Sequence, residues 1–199
     1  MQLLDSARAS LGFAVLLAAG MLVIFLGVAG GDALSLLSYL LRALHILAAA
    51  VWVGLIVFVN FVQLEALRAA DPEGREFMHK MIVPAVAFWF RHASTATVIT
   101  GALLLVPIGY VLPTLAYGSS VYIPPARAVL LWSAVLAALA MWMFVHMYIW
   151  PSMQVVLGLR PGTSEAKARA RARVASFARL NLILALPVLF AMVAVAHLY

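Results

Sequence analysis

The sequence predicts an all-α integral membrane protein, a single membrane domain built as a bundle of five transmembrane helices. Two observations lead there. The 199 residues are 66% hydrophobic and only 10% charged, whereas soluble domains are about half apolar and about a quarter charged. The apolar residues also fall in runs long enough to cross a hydrocarbon core, which takes about 20 residues per helix. Five such runs leave no room for a soluble catalytic domain. A net charge of +6 would point to nucleic acid in a soluble protein. Here the basic residues gather in two segments between apolar runs, so membrane topology accounts for them and no nucleic-acid partner is expected.

The first span covers residues 11–30. It lacks an A-x-A-like cleavage site and reads as a retained helix rather than a signal peptide; Gly30-Gly31-Asp32 breaks it. The second span, 36–62, is long enough to tilt. Residues 63–80 read as a polar loop, with Asp71-Pro72-Glu73-Gly74 as a turn. Residues 81–90 are apolar but contain Pro84, and fit either an interfacial helix or an extension of span three. Span three covers 91–112 and span four 126–150, where Pro151 is expected to end the helix because it lacks a backbone donor. A basic, alanine-rich segment at 164–175 reads as a separate helix before span five, 180–198.

Lysine and arginine counts orient the bundle. Arg68, Arg75 and Lys80 lie between spans two and three, with Arg91 at the end of that segment. Arg160, Lys167, Arg169, Arg171 and Arg173 lie between spans four and five, followed by Arg179. The opposite side offers only Arg42 and Arg127. The positive-inside rule puts both basic segments in the cytoplasm, the N-terminus inside and the C-terminus in the periplasm of a bacterial inner membrane. Tyr110, Tyr117, Tyr122 and Tyr199 then fit an aromatic belt on the outer side.

There is no cysteine, which excludes disulfides, thiolate metal sites, iron–sulfur ligation and covalent haem attachment. Any cofactor is held by histidine, methionine, carboxylate or backbone. Ionisable groups inside spans are rare and point to function, which directs attention to the histidines. By position along their helices, His45 and His197 belong to an outer level, and His92 and His146 to an inner one. Facing helices that each supply an imidazole can hold haem iron from both sides. This layout predicts a b-type cytochrome with one or two haems, ligated by His45 with His197 and by His92 with His146. Arg42, one turn from His45, and Arg91, beside His92, are placed to pair with haem propionates. Trp52, with Ala48, Ala49 and Gly54, suits a flat macrocycle.

The plainer readings stand beside these. His92 and His197 at helix ends also fit interfacial residues without a ligand, and His79 fits a solvated loop residue. Met141, Met143, Met147 and Met153 recur near His146. Methionine and histidine together bind copper, but methionine is also ordinary packing material, and packing is the better reading. Asn60 and Gln63 share a face and fit interhelical hydrogen bonds better than a quinone head-group site.

Several segments carry a family likeness. "LHILAAAVWVG" gives a His, six residues, then Trp-x-Gly. That opening is similar to those of the cytochrome-linked urate oxidase membrane domain, the copper-resistance membrane proteins and the haem-binding membrane protoporphyrinogen oxidase. "MWMFVHMYIWPSMQ" resembles the end of a span in the urate oxidase domain. Asn181, Pro187 and His197 match that family's N-x5-P-x9-H ending, and "WFR" with "ITGALLL" is a looser match. Together these resemble the membrane domain of the bacterial cytochrome-linked urate oxidase family over residues 36–199, without its fused cytochrome c domain. The resemblance implies an inner-membrane protein working beside a c-type cytochrome, and it carries over His45 and His197. The family has aromatic residues where His92 and His146 stand, so those two rest on depth alone. The expected function is electron transfer between quinol and a c-type cytochrome, or within a larger redox complex. A copper-handling or small-solute membrane protein and a cofactor-free structural subunit are the alternatives.

Overall fold

A computed structural model describes residues 6–30, 32–111 and 123–198. The structure is 88% helix with no strand among the described residues. Five helices are long and apolar enough to cross a membrane: α1 (Ala7–Ala29), α2 (Ala33–Ala69), α3 (Pro72–Leu104), α4 (Pro125–Val156) and α5 (Ser164–His197). Tyr117, Tyr122 and Tyr199 of the expected aromatic belt lie outside the described residues.

The chain divides into two compact units, residues 1–39 and 40–199. The first holds α1 and the start of α2. Helix α1 is apolar along its length and buries none of its spanning window, as suits side chains whose solvent is lipid. Asp32 caps α2, its Oδ1 accepting from the Ser35 N–H at 2.7 Å and satisfying one of the orphan donors of the first turn.

In the second unit the helices are longer than the sequence predicts. The 37 residues of α2 would extend about 55 Å at ~1.5 Å per residue, well beyond a core of ~30 Å. Residues 63–80, expected as a loop, are therefore almost all helical. The chain reverses at Ala70-Asp71 alone. Asp71 accepts from Gly74 N–H at 2.8 Å, and Pro72 follows at the first helical position, where a missing N–H costs nothing. Residues 81–90 belong to α3 rather than to an interfacial helix.

Pro151 does not end span four, which continues to Val156. The reason is local. A proline ring clashes with the carbonyl four residues back, and here the backbone widens into a π turn over Phe144–Ile149 just before it. The same device precedes Pro84, with a π turn at Met78–Ile82, and a third π turn, Val59–Gln63, lies in α2. Helix α4 stops at Gly158, whose φ of 75° is the left-handed conformation that glycine takes without a Cβ penalty. The expected separate helix at 164–175 is the first part of one 34-residue helix, α5, which passes through Pro187. Thr163 caps it by accepting from Ala166 N–H.

The core of this unit joins Trp52, Ile56 and Val59 of α2, Phe90 and Ala93 of α3, Met141 and Val145 of α4, and Ala178 and Ala185 of α5. Alanines on two of the four helices let backbones approach closely, as membrane helix packing favours. Polar ties lie between the helices. Asn60 Nδ2 donates to Ile56 O at 2.9 Å and to Ala178 O at 3.1 Å, joining α2 to α5. Arg127, at the start of α4, donates through Nε and Nη2 to Val195 O near the end of α5, at 2.9 and 2.6 Å.

Candidate functional site

Helix α3 carries the polar residues around which the candidate site is built. Its Thr95, Thr97 and Thr100 are hydroxyls inside an apolar span, with Gly101 one position further on. The half-buried imidazole of His45 reaches α3 from α2. Its Nδ1 lies 2.9 Å from Thr97 O and 3.3 Å from Thr100 Oγ1. A backbone carbonyl only accepts, so Nδ1 carries the proton and Nε2 keeps its lone pair. The ring lies against Gly101 so closely that a Cβ there would sit 2.8 Å from His45 Cε1 and 3.1 Å from Nδ1. Glycine at 101 is what admits the histidine.

His146 reaches α3 from α4. Its Nδ1 donates to Trp142 O at 3.0 Å, and its Nε2 lies 3.2 Å from Thr95 Oγ1. Trp142 Nε1 donates to the same hydroxyl at 3.2 Å, and its ring lies 4.6 Å from the His146 ring. Thr95 thus accepts from the indole and donates to Nε2 of the imidazole, while Trp142 O takes Nδ1–H, so both ring nitrogens of His146 are engaged.

These contacts revise the depth assignment. His45 meets α3 at residues 97–101 and His146 meets it at residue 95, a separation of about 3–9 Å along the helix at ~1.5 Å per residue. Both imidazoles meet α3 within its last ten residues rather than at two well-separated levels. No hydrogen bond or ring contact among the described residues joins His45 to His197 or His92 to His146. His197 is exposed at the end of α5. His92 is exposed on α3, with Nδ1 bonded to Phe88 O at 2.7 Å and its ring 4.1 Å from that of Phe88.

The other expected residues divide similarly. Arg42 is exposed, one turn before His45. Trp52 lies two turns beyond His45, where positions seven apart share a helix face; it is buried, and its Nε1 has no hydrogen-bond partner. The Arg91 guanidinium lies 4.1 Å from the centroid of the Trp150 ring, a cation–π arrangement, rather than beside His92. Asn181 is fully buried, and neither amide atom has a hydrogen-bond partner. The methionines do not converge: Met141 and Met153 are buried, Met143 and Met147 exposed. No group of three or more His, Asp or Glu that could hold a metal ion occurs among the described residues.

Sequence reasoning missed Thr95, Thr97, Thr100 and Gly101. The signal was present as three threonines in "STATVITG", because hydroxyls inside a span bond across helices. It also misplaced His79, which sits on α3 rather than in a loop. Together with Gln63, His79 lines a cavity of about 570 Å3 at the basic end of the four helices.

Length, composition and packing together make this a multi-pass α-helical membrane protein. No protein-family model, curated protein or solved structure matches the chain.

Proposed function

We propose that the chain is a membrane-embedded b-type haem protein that transfers electrons, with His45 as the ligand this chain presents. The observation that carries the reading is the state of the His45 ring. A metal-bound histidine characteristically donates its other ring N–H to a carbonyl or carboxylate, which fixes the tautomer and orients the ring. His45 donates from Nδ1 to Thr97 O, and its Nε2 has no partner among the described residues. Trp52 adds an unpartnered buried N–H on the same helix face, and Arg42 adds a cation one turn away for a propionate. The likeness to the urate oxidase membrane domain assigns His197 as the second ligand. The inner pair fits less well: His146 Nε2 is held by Thr95, and Arg91 is committed to Trp150. The proposal is therefore one haem.

When bound, the haem supplies one-electron chemistry. The chain's own residues fix the imidazole tautomer and hold the ring from α2 against Gly101 of α3. The physiological role assigned is electron transfer from quinol to a c-type cytochrome, alone or in a larger redox complex. The assigned setting is a bacterial inner membrane, with both basic segments cytoplasmic and the C-terminus periplasmic. The full chain, expressed with ample haem supply and purified in detergent, is expected to be red with a b-type reduced-minus-oxidised spectrum. His45→Ala is expected to abolish it, while His92→Ala leaves it unchanged. A colourless wild-type protein, or full haem content in His45→Ala, would refute the reading.

A further inference from the structure

At the basic end, the four helices of the second unit line the open cavity of about 570 Å3. That volume is in the range of small-molecule and head-group sites. Arg68, Arg75 and His79 line it from the α2–α3 hairpin and Arg171 from α5; no carboxylate lines it. The charge is poorly compensated. Arg68 is paired with Glu65 at 2.6 Å. Arg75 donates to the backbone oxygens of Leu67 and Arg68, which are dipoles rather than charges. Arg171 has no ion pair or hydrogen bond among the described residues, and it lines the same cavity as His79. Two solvent-exposed guanidiniums, Arg75 and Arg171, thus line one cavity without a carboxylate, a pair that an anion can bridge.

The remaining wall is mixed. Gln63 is buried, with Oε1 unpartnered, and Leu67, Val83, Val156 and Val174 give apolar surface. Guanidiniums at the mouth and aliphatic side chains within match an amphiphile with an anionic head. Basic pockets between membrane helices bind acidic lipid head groups by this combination, and Arg suits phosphate because its planar fork donates two parallel hydrogen bonds.

We propose that this cavity is a phosphate-ester site, held chiefly by Arg171 and Arg75, whose occupant is the head group of an anionic phospholipid. It is independent of haem and uses none of the residues assigned to it. The inference also accounts for Arg171 beyond topology: the positive-inside rule needs a positive charge on this side, not a guanidinium facing a cavity.

The test uses the full chain in detergent, with thermal melts and native mass spectrometry against dioleoylphosphatidylglycerol, dioleoylphosphatidylcholine, inorganic phosphate and glycerol 3-phosphate. Wild type is expected to prefer phosphatidylglycerol over phosphatidylcholine. Arg171→Gln should weaken that binding by about tenfold or more, the scale of one lost charge-assisted bond. Arg169→Gln removes the same charge from an equally exposed position on the same helix that does not line the cavity, and should leave binding within about twofold. Arg171→Lys keeps the charge, and if Arg171→Gln aggregates, its partial retention of binding serves in its place. Binding of inorganic phosphate or glycerol 3-phosphate with the same Arg171 dependence, but no lipid preference, would support the phosphate site with a soluble occupant. Equal losses in Arg171→Gln and Arg169→Gln, or no loss in either, would overturn the proposal.

Discussion

Replacing Gly101 by alanine adds one methyl group at the point where the His45 ring lies against α3. The new Cβ would stand 2.8 Å from Cε1 and 3.1 Å from Nδ1, closer than carbon atoms approach without a shift. Either the ring rotates off Thr97 O or the helices separate. Overpacking of this kind costs about 1–3 kcal/mol, and the lost Nδ1–H···O bond about 0.5–1.5 kcal/mol. Alanine returns about 0.8–1.0 kcal/mol of helix propensity relative to glycine. The net loss is about 2 kcal/mol, which for a chain of this size lowers Tm by about 4–8 °C. The same substitution in a His45→Ala background meets no ring, so only the propensity remains and Gly101→Ala should stabilise by about 1 kcal/mol. The assay is a double-mutant cycle by thermal melting in one detergent. Destabilisation of similar size in both backgrounds would refute the reasoning, because the effect would then not pass through His45.

Thr95→Val removes the hydroxyl shared by Trp142 Nε1 and His146 Nε2; leaving two polar atoms unpaired inside the bundle should cost about 1–3 kcal/mol in the same melt. Arg127→Met deletes both bonds to Val195 O and should speed amide exchange in the last turn of α5, while Arg127→Lys restores only part of the protection because it lacks the fork. The Asp32 carboxyl is held below the ordinary 3.8 of an aspartate by the hydrogen bond from the Ser35 backbone N–H. A lowered folded value means the cap is fully effective above that ordinary value and is lost as pH falls through the lowered one. The protection factor of the Ser35 amide, its exchange relative to the intrinsic rate at the same pH, should therefore hold at neutral pH and fall only in the acid range, and Asp32→Ala should remove that fall.

The five spans were legible because bilayer thickness imposes a length and a composition that few other folds share. Their ends were not. Polar residues from Gln63 to Lys80 read as a loop when the helix is imagined to stop at the hydrocarbon boundary, but α2 and α3 project past it and need only Asp71-Pro72 to reverse. Pro84 and Pro151 misled for a related reason: proline forbids one backbone geometry, not helical continuation, and a widened turn removes the clash. At the site, the residue types were readable and the pairings were not. His45 reads from the sequence as an ionisable group within a span, and its partners lie on α3 more than 50 positions away. Finding them requires the rotation of two helices about their own axes, which hydropathy does not encode. His146 was paired by depth, whereas in the structure its hydrogen bonds go to Thr95 and Trp142.

The three π turns change how this chain tolerates the gain or loss of a residue. A π turn holds one residue more than the α turn it replaces, so each of α2, α3 and α4 carries an internal phase slip. Beyond it, every side chain is displaced by about 100° around the axis relative to an uninterrupted α-helix at ~3.6 residues per turn. A helical wheel drawn straight through Ala33–Ala69 would set Gln63 and Leu64 on the wrong side of α2. Deleting one residue within Val59–Val62 would let the π turn close to an α turn and leave Leu64, Leu67 and Arg68 on the cavity they line, whereas the same deletion in an α-helical stretch would rotate the residues beyond it by about 100°. Chains of common ancestry can therefore carry the same wall at positions that appear out of register by one in each of three helices.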